Sequence, residues 1–357
     1  LSTMPFIGIY AQSIYYVSPH ASSGGDGSPA TPFHIIHEAV EKARKDKNCT
    51  TIYLREGEYI LDTPLVLTSA DGNDSKELII RNYPGEKAII SSGITLDLKW
   101  EKYKNGIMRA AVKGNPVMDM LIVNGDLRSM ARYPDYDKTA VRFNGTSALA
   151  TAPERVKKWK NPEGGYLHAM HSHDWGDFHY RITGKNEKGE LQLEGGWQNN
   201  RPMGIHPENR MVENIFEELD APGEWYYDKQ EGWLYYYPLS DENINELVFE
   251  TPQLKNLIEI AGTSSHPVKN ITIEGIELTQ TIRTFMEHYE PLLRSDWTIY
   301  RGGAVIFRGT EKCTLRDCYI HHVGGNGVFF DKYNRNSAVT GSYLTSIGAV
   351  SYTHLTL

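Results

Sequence analysis

The chain has 357 residues, 40% hydrophobic and 23% charged, enough apolar surface for a large folded core and too much for a disordered chain. With 37 Lys and Arg against 45 Asp and Glu, it lacks the basic excess that a phosphate backbone or an anionic membrane surface selects, so nucleic acid is excluded as a partner. Cys49, Cys313 and Cys318 are too few and too scattered for a disulfide framework, and no Cys-x-x-Cys pair suggests zinc.

Residues 1–12, ending Tyr10-Ala-Gln12, read as the apolar end of a secretory signal, with a buried first strand as the alternative. The expectation is an exported protein, periplasmic or extracellular. No later run approaches the ~18 apolar residues of a membrane span. Residues 13–99 begin with Ile14-Tyr-Tyr-Val-Ser-Pro19, a short strand before a Gly/Ser/Pro-rich turn. Ile36, Ala39, Val40 and Ala43 then follow i, i+3, i+4, i+7 spacing, which predicts one amphipathic helix. No second helix is evident. Short apolar strands follow at 51–55, 65–67 and 78–82.

Residues 100–250 change character. Trp, Tyr and charges mix with short alternating segments, Asn124-Gly125 marks a hairpin turn, and 223–238 reads as two strands around a polar loop. The expectation is an inserted, mostly antiparallel β-rich module.

Across 251–349 an internal repeat emerges. Val305-Ile-Phe307 is echoed 23 residues later by Val328-Phe-Phe330, and Tyr319-Ile320 is echoed 24 residues later by Tyr343-Leu344. Ile271–Leu278 matches Cys313–Ile320 across an excursion at 281–302. Strands of three to five residues at this interval predict an all-β parallel β-helix whose coils stack ~4.8 Å apart. A β-sandwich would show longer alternating strands joined by hairpins. Asn326, after Gly324-Gly325, fits a left-handed bend. The last eight residues, Val350–Leu357, correspond codon by codon to a sequencing-library adapter, so residues 350–357 are set apart from the fold and the chain is expected to be cut short at Ala349.

The words Tyr15-Tyr-Val-Ser-Pro19, Pro32-Phe33, Tyr53-Leu-Arg-Glu-Gly-Glu-Tyr59, Val123-Asn-Gly125, Ala131-Arg-Tyr-Pro134, Pro222-Gly-Glu-Trp225, Leu292–Trp297, Arg301-Gly-Gly303 and Gly324-Gly-Asn326 together resemble bacterial right-handed parallel β-helix proteins. Within them the pattern is similar to glycoside hydrolase family 141 and its uncharacterised relatives. The resemblance spans residues 14–349. It implies an N-terminal capping helix, a β-rich insertion, and hydrolysis of fucose or xylose linkages in plant cell-wall polysaccharide, on pectin or xylan side chains. It also implies that the catalytic carboxylates sit on later coils, beyond residue 349.

Glycosidases use two carboxyl groups ~5–9.5 Å apart. Asp296, Asp317 and Asp331 are the catalytic candidates within the chain, each with the plain alternative of a solvated turn or face carboxylate. The excursion 285–301 gathers acids, arginines and rings as a sugar-groove wall does, making Glu290, Arg294, Trp297 and Arg301 substrate-binding candidates. His168–His179 is dense in His and Asp. Read as one strand, it puts His171, His173, Trp175, Asp177 and His179 on one face. His171, His173 and Trp175 are taken as sugar contacts and no metal is assigned. No cofactor is expected, except Ca²⁺ if the protein were a polysaccharide lyase instead. A non-catalytic glycan-binding or adhesion β-helix is the third reading. The partner in every case is a polysaccharide or oligosaccharide.

Overall fold

The computed structural model describes residues 12–199, 203–291 and 298–349, with the backbone of Tyr352–Leu355. The chain divides into two compact units, neither continuous in sequence. One gathers the residues up to Gly93, Leu254–Thr281 and those from Gly302 onward; the other holds Ile94–Gln253 and Ile282–Arg301.

The first unit is built on three parallel sheets. Gln12–Val17, Cys49–Leu54, Leu78–Asn82, Ile271–Glu274, Thr314–Arg316 and Ala338–Thr340 form one. Gly57–Ile60, Ala88–Ser91, Glu277–Thr281, Tyr319–Val323 and Tyr343–Leu344 form the next. Leu65–Leu67, Ile258–Ala261, Val305–Glu311, Val328–Arg335 and Tyr352–Leu355 line up in the third, with Val268–Lys269 beside them. From Cys49 the chain visits the sheets in this order and then begins again. Because pairing is parallel and in register, like residues stack in columns. Leu67, Ile260, Phe307 and Phe330 form one, with the two Phe rings 4.5 Å apart and within 8° of parallel. Ile52, Ile80, Ile273 and Leu315 form another. All eight are buried, each contributing roughly 1.5–3 kcal/mol of apolar transfer. The pairs expected from the 23- and 24-residue echoes are the pairs observed.

Two local features differ from the sequence expectation, and one concerns residues that it set apart. Tyr352–Leu355, set apart above, pairs in parallel with Val328–Asp331, since an open strand edge accepts backbone partners whatever their side chains. Asn326 is buried and does not adopt left-handed backbone. Its side-chain amide instead donates to the Gly302 carbonyl at 2.7 Å, 24 residues back. Besides the expected helix, Ile36–Lys45, which buries Ile36, Ala39, Val40 and Ala43, the described residues include a further α-turn, Pro153–Val156, that begins with proline at its first position.

Gly309 lies where the register with Val328–Arg335 shifts, at φ +60°. A β-carbon there would sit 2.2 Å from the Gly262 carbonyl carbon. Gly309→Ala is therefore expected to destabilise the protein by about 1–3 kcal/mol, read as a lowered urea midpoint. An unchanged midpoint would show that the bulge relaxes freely.

In the second unit the strands pair antiparallel, apart from a parallel bridge between Met130 and Trp225. One sheet runs Arg132–Tyr133, Ile205–Glu213, Tyr166–His171, Asp177–Lys185, Leu191–Gly195. Another runs Trp225–Asp228, Trp233–Tyr236, Met108–Ala111, Glu101–Lys102. Asn124 and Gly125, both at positive φ, close the hairpin between Leu121–Val123 and Asp126–Arg128. The His-rich segment is not one strand. Asp174 and Gly176 take positive φ and fold it into a hairpin, so the one-face reading of His171 through His179 fails: residues beyond the turn run back alongside those before it.

Candidate functional site

That hairpin sets His168 directly opposite His179, while Ile205–Glu213 flanks the other side and brings Glu213 opposite Tyr166. The two imidazoles meet Nδ1 to Nδ1 at 2.7 Å. His168 Nε2 lies 3.1 Å from Glu213 Oε1, and His179 Nε2 lies 3.3 Å from Asp177 Oδ2. Phe285 packs on both rings, with centroids 5.0 and 5.2 Å away.

Arg283 extends the cluster. Its Nε and Nη2 donate to Asp119 Oδ1 at 3.0 and 2.9 Å, its backbone N–H donates to Asp119 Oδ2 at 2.7 Å, and its Nη1 donates to Glu213. The guanidinium lies over the rings of Phe285 and Tyr166, 4.7 and 5.4 Å from their centroids. Burial pushes the Glu213 carboxyl up, but Arg283 and His168 outweigh it and hold the group well below the usual carboxylate range. Burial likewise opposes the charge on Arg283, and Asp119 with Glu213 overcomes it, raising the guanidinium above its ordinary value. His168 is pushed down, burial outweighing the pull of Glu213.

Arg283, Asp119, Tyr166 and Phe285 form part of the wall of a cavity of about 580 Å³, which Arg181, Glu287 and residues 226–230 also line. Ring faces beside hydrogen-bonding charges suit a polyhydroxylated ligand, whose C–H faces stack while its hydroxyls bond.

The structure brings some sequence-derived candidates together. The rings of His171 and Trp175 lie within 2° of parallel at 6.0 Å, and His173 sits 5.9 Å from each. His171 is fully buried, whereas Trp175 is 53% exposed. Glu290 and Arg301 form an ion pair beside the antiparallel pairing of Glu290–Pro291 with Thr298–Ile299, with Arg301 Nη2 3.2 Å from Oε1. Arg294, Asp296 and Trp297 lie outside the described residues. In the first unit, Asp317 is a corner residue at φ +52° whose carboxylate covers Gly341. It borders a groove of about 320 Å³ with Asn82, Lys87, Glu277 and Tyr319. Asp331 is buried, bonded at 2.8 Å to Arg308, which also reaches Glu259 at 2.7 Å. It is thus neither solvated nor at a turn: it lies on the strand face opposite the core residues Val328 and Phe330, and Arg308, its parallel-register partner, pairs with it there. Sequence reading missed Arg283, Glu213 and Asp119. Their only local signal is a charge at the end of an apolar run, and Arg283 lies 70 and 164 residues from its partners.

No family model matches the chain. A stretch of 88 residues is 34% identical to the uncharacterized protein YwoF of Bacillus subtilis (strain 168), covering 24% of this chain and 17% of that protein. A solved structure described as a glycoside hydrolase superposes on 92% of this chain with a TM-score of 0.74 and 20% sequence identity. The chain shares that protein's fold. It spans 65% of the solved chain, so it covers less than two thirds of either relative.

Proposed function

We propose that the chain belongs to an exported, right-handed parallel β-helix protein that hydrolyses glycosidic bonds in plant cell-wall polysaccharide. Side chains of pectin or xylan are the substrate class, as the resemblance to glycoside hydrolase family 141 implies. The fixed rotation through three parallel sheets and the fold shared with a glycoside hydrolase support the architecture. Fold alone does not carry function. The observation that carries it is the cavity in the second unit, where Tyr166 and Phe285 stand beside Asp119, Arg181 and Arg283. Trp175, exposed and backed by His171, is proposed as a further sugar-stacking platform.

The test is calorimetric titration with xylo-oligosaccharides and pectic side-chain fragments, alongside reducing-sugar release. Binding is expected, and Trp175→Ala is expected to weaken it roughly two- to tenfold. Absence of binding to every glycan in both series would sink the proposal. Products absorbing in the ultraviolet would replace hydrolysis with lyase chemistry.

A further inference from the structure

The paired histidines pose a question of proton bookkeeping. Glu213 and Asp177 are acceptors when ionised, so each requires an N–H on the Nε2 that faces it. A neutral imidazole carries one N–H. If both rings place it on Nε2, two bare Nδ1 lone pairs face each other at 2.7 Å, with Phe285 and Phe143 against the rings; if His179 carries it on Nδ1 instead, its bare Nε2 faces the Asp177 carboxylate at 3.3 Å. A cation between them would resolve the conflict. A divalent metal would hold two tetrahedral nitrogen ligands about 3.3 Å apart, wider than observed. Among the described residues, no group of three or more His, Cys, Asp or Glu is placed to hold a metal. A separation of 2.7 Å fits an N–H···N hydrogen bond.

We infer that one extra proton is shared by this pair and that His179, His168 and Glu213 are positioning residues for Arg283 at the cavity wall. His179 is the imidazolium: its Nε2–H donates to Asp177 and its Nδ1–H donates to His168. His168 stays neutral and donates Nε2–H to Glu213, in keeping with its deeper burial and depressed basicity. The chain Asp177, His179, His168, Glu213, Arg283, Asp119 then matches every donor to an acceptor. The groups facing His179 are Asp177 on its own strand and His168 on the facing strand, with Glu213 behind His168. From Ile282–Arg301 come Arg283, bonded to Glu213, and Tyr289, whose phenol feels the Asp177 charge. The Gln198 carbonyl takes the His179 backbone N–H at 3.0 Å. Loss of the proton as pH rises removes either the N–H between the two Nδ1 atoms or the one that faces Asp177, and with it the full donor–acceptor match that fixes the rings behind Glu213 and Arg283, so ligand affinity in the cavity falls toward alkaline pH. This last step rests on the cavity being the glycan site; the proton assignment does not.

Long-range ¹H–¹⁵N correlation of the imidazoles, followed with pH on the intact chain, tests it. Expected are both nitrogens of His179 protonated, His168 neutral with its proton on Nε2, and no bound metal by elemental analysis. Two singly protonated rings at every pH where the protein is folded, or a stoichiometric metal, would overturn it. His179→Gln is expected to lower xylo-oligosaccharide affinity about tenfold on the acid side and to flatten its pH dependence. An unchanged pH profile in this variant overturns the positioning role. No binding by the parent chain, with the histidine spectra as expected, counts against the glycan reading alone.

Discussion

Arg283→Met is expected to destabilise the second unit by about 3–5 kcal/mol, seen as a lower urea midpoint. Arg283 is the shared counter-charge of Asp119 and Glu213, whose side chains are only 17% and 10% exposed. Methionine fills similar volume but leaves both carboxylates desolvated without a cation, and desolvation of an unpaired charge is the large term. The effect is therefore expected to shrink when the carboxylates go too: the triple variant Arg283→Met, Asp119→Asn, Glu213→Gln should regain much of the lost stability, a strongly non-additive cycle. Arg283→Lys should recover little, because an ammonium cannot reproduce the two-pronged bond to Asp119. A loss below about 1 kcal/mol in Arg283→Met would show that the cluster is hydrated and not a buried charge network.

Glu224→Gln is expected to stabilise the protein, and increasingly so as pH rises. Glu224 is 3% exposed and its Oε1 meets no partner. Burial pushes its carboxyl up to about 8, a backbone hydrogen bond from Ala221 working the other way and Asp135 and Asp220 adding to the rise. The folded state thus keeps this proton up to about pH 8, whereas the unfolded chain releases it near the ordinary glutamate value of 4.5. Between those limits the native state binds more protons, so stability falls as pH rises, by at most about 1.4 kcal/mol per pH unit. Below the unfolded value the group contributes no difference. The glutamine carries no such slope. Urea unfolding of parent and variant at about pH 5, 7 and 9 should show curves that diverge upward, by a few kcal/mol at the alkaline end. Parallel curves would mean that Glu224 ionises in the native state.

The first unit was legible because its information is local and repeated. Val305 and Phe307 carry the same pattern as Val328 and Phe330, and a parallel column needs only that like residues recur at a constant interval. The helix was legible for a similar reason, its four buried residues following one period. Turns were partly legible. Asn124-Gly125 announces its hairpin, whereas Asp174 and Gly176 are separated by Trp175 and sit inside a run whose alternation imitates a strand. The charge network in the second unit was not legible. Arg283, Asp119 and Glu213 each look like an ordinary surface charge, and only the meeting of distant segments shows that they are buried against one another. The burial of Asp331 was hidden for a related reason: it depends on strand register, which sets Arg308 beside it from 23 residues away.

The two units interrupt each other, and this bears on synthesis. A ribosome delivers Asp119, His168 and Glu213 well before Arg283, with all of Leu254–Thr281, which belongs to the other unit, in between. Until that stretch has emerged, the nascent module holds acidic groups destined for burial and lacks the cation that makes burial tolerable. It can gather its strands early, but it cannot complete its charge network before Arg283 has emerged from the ribosome.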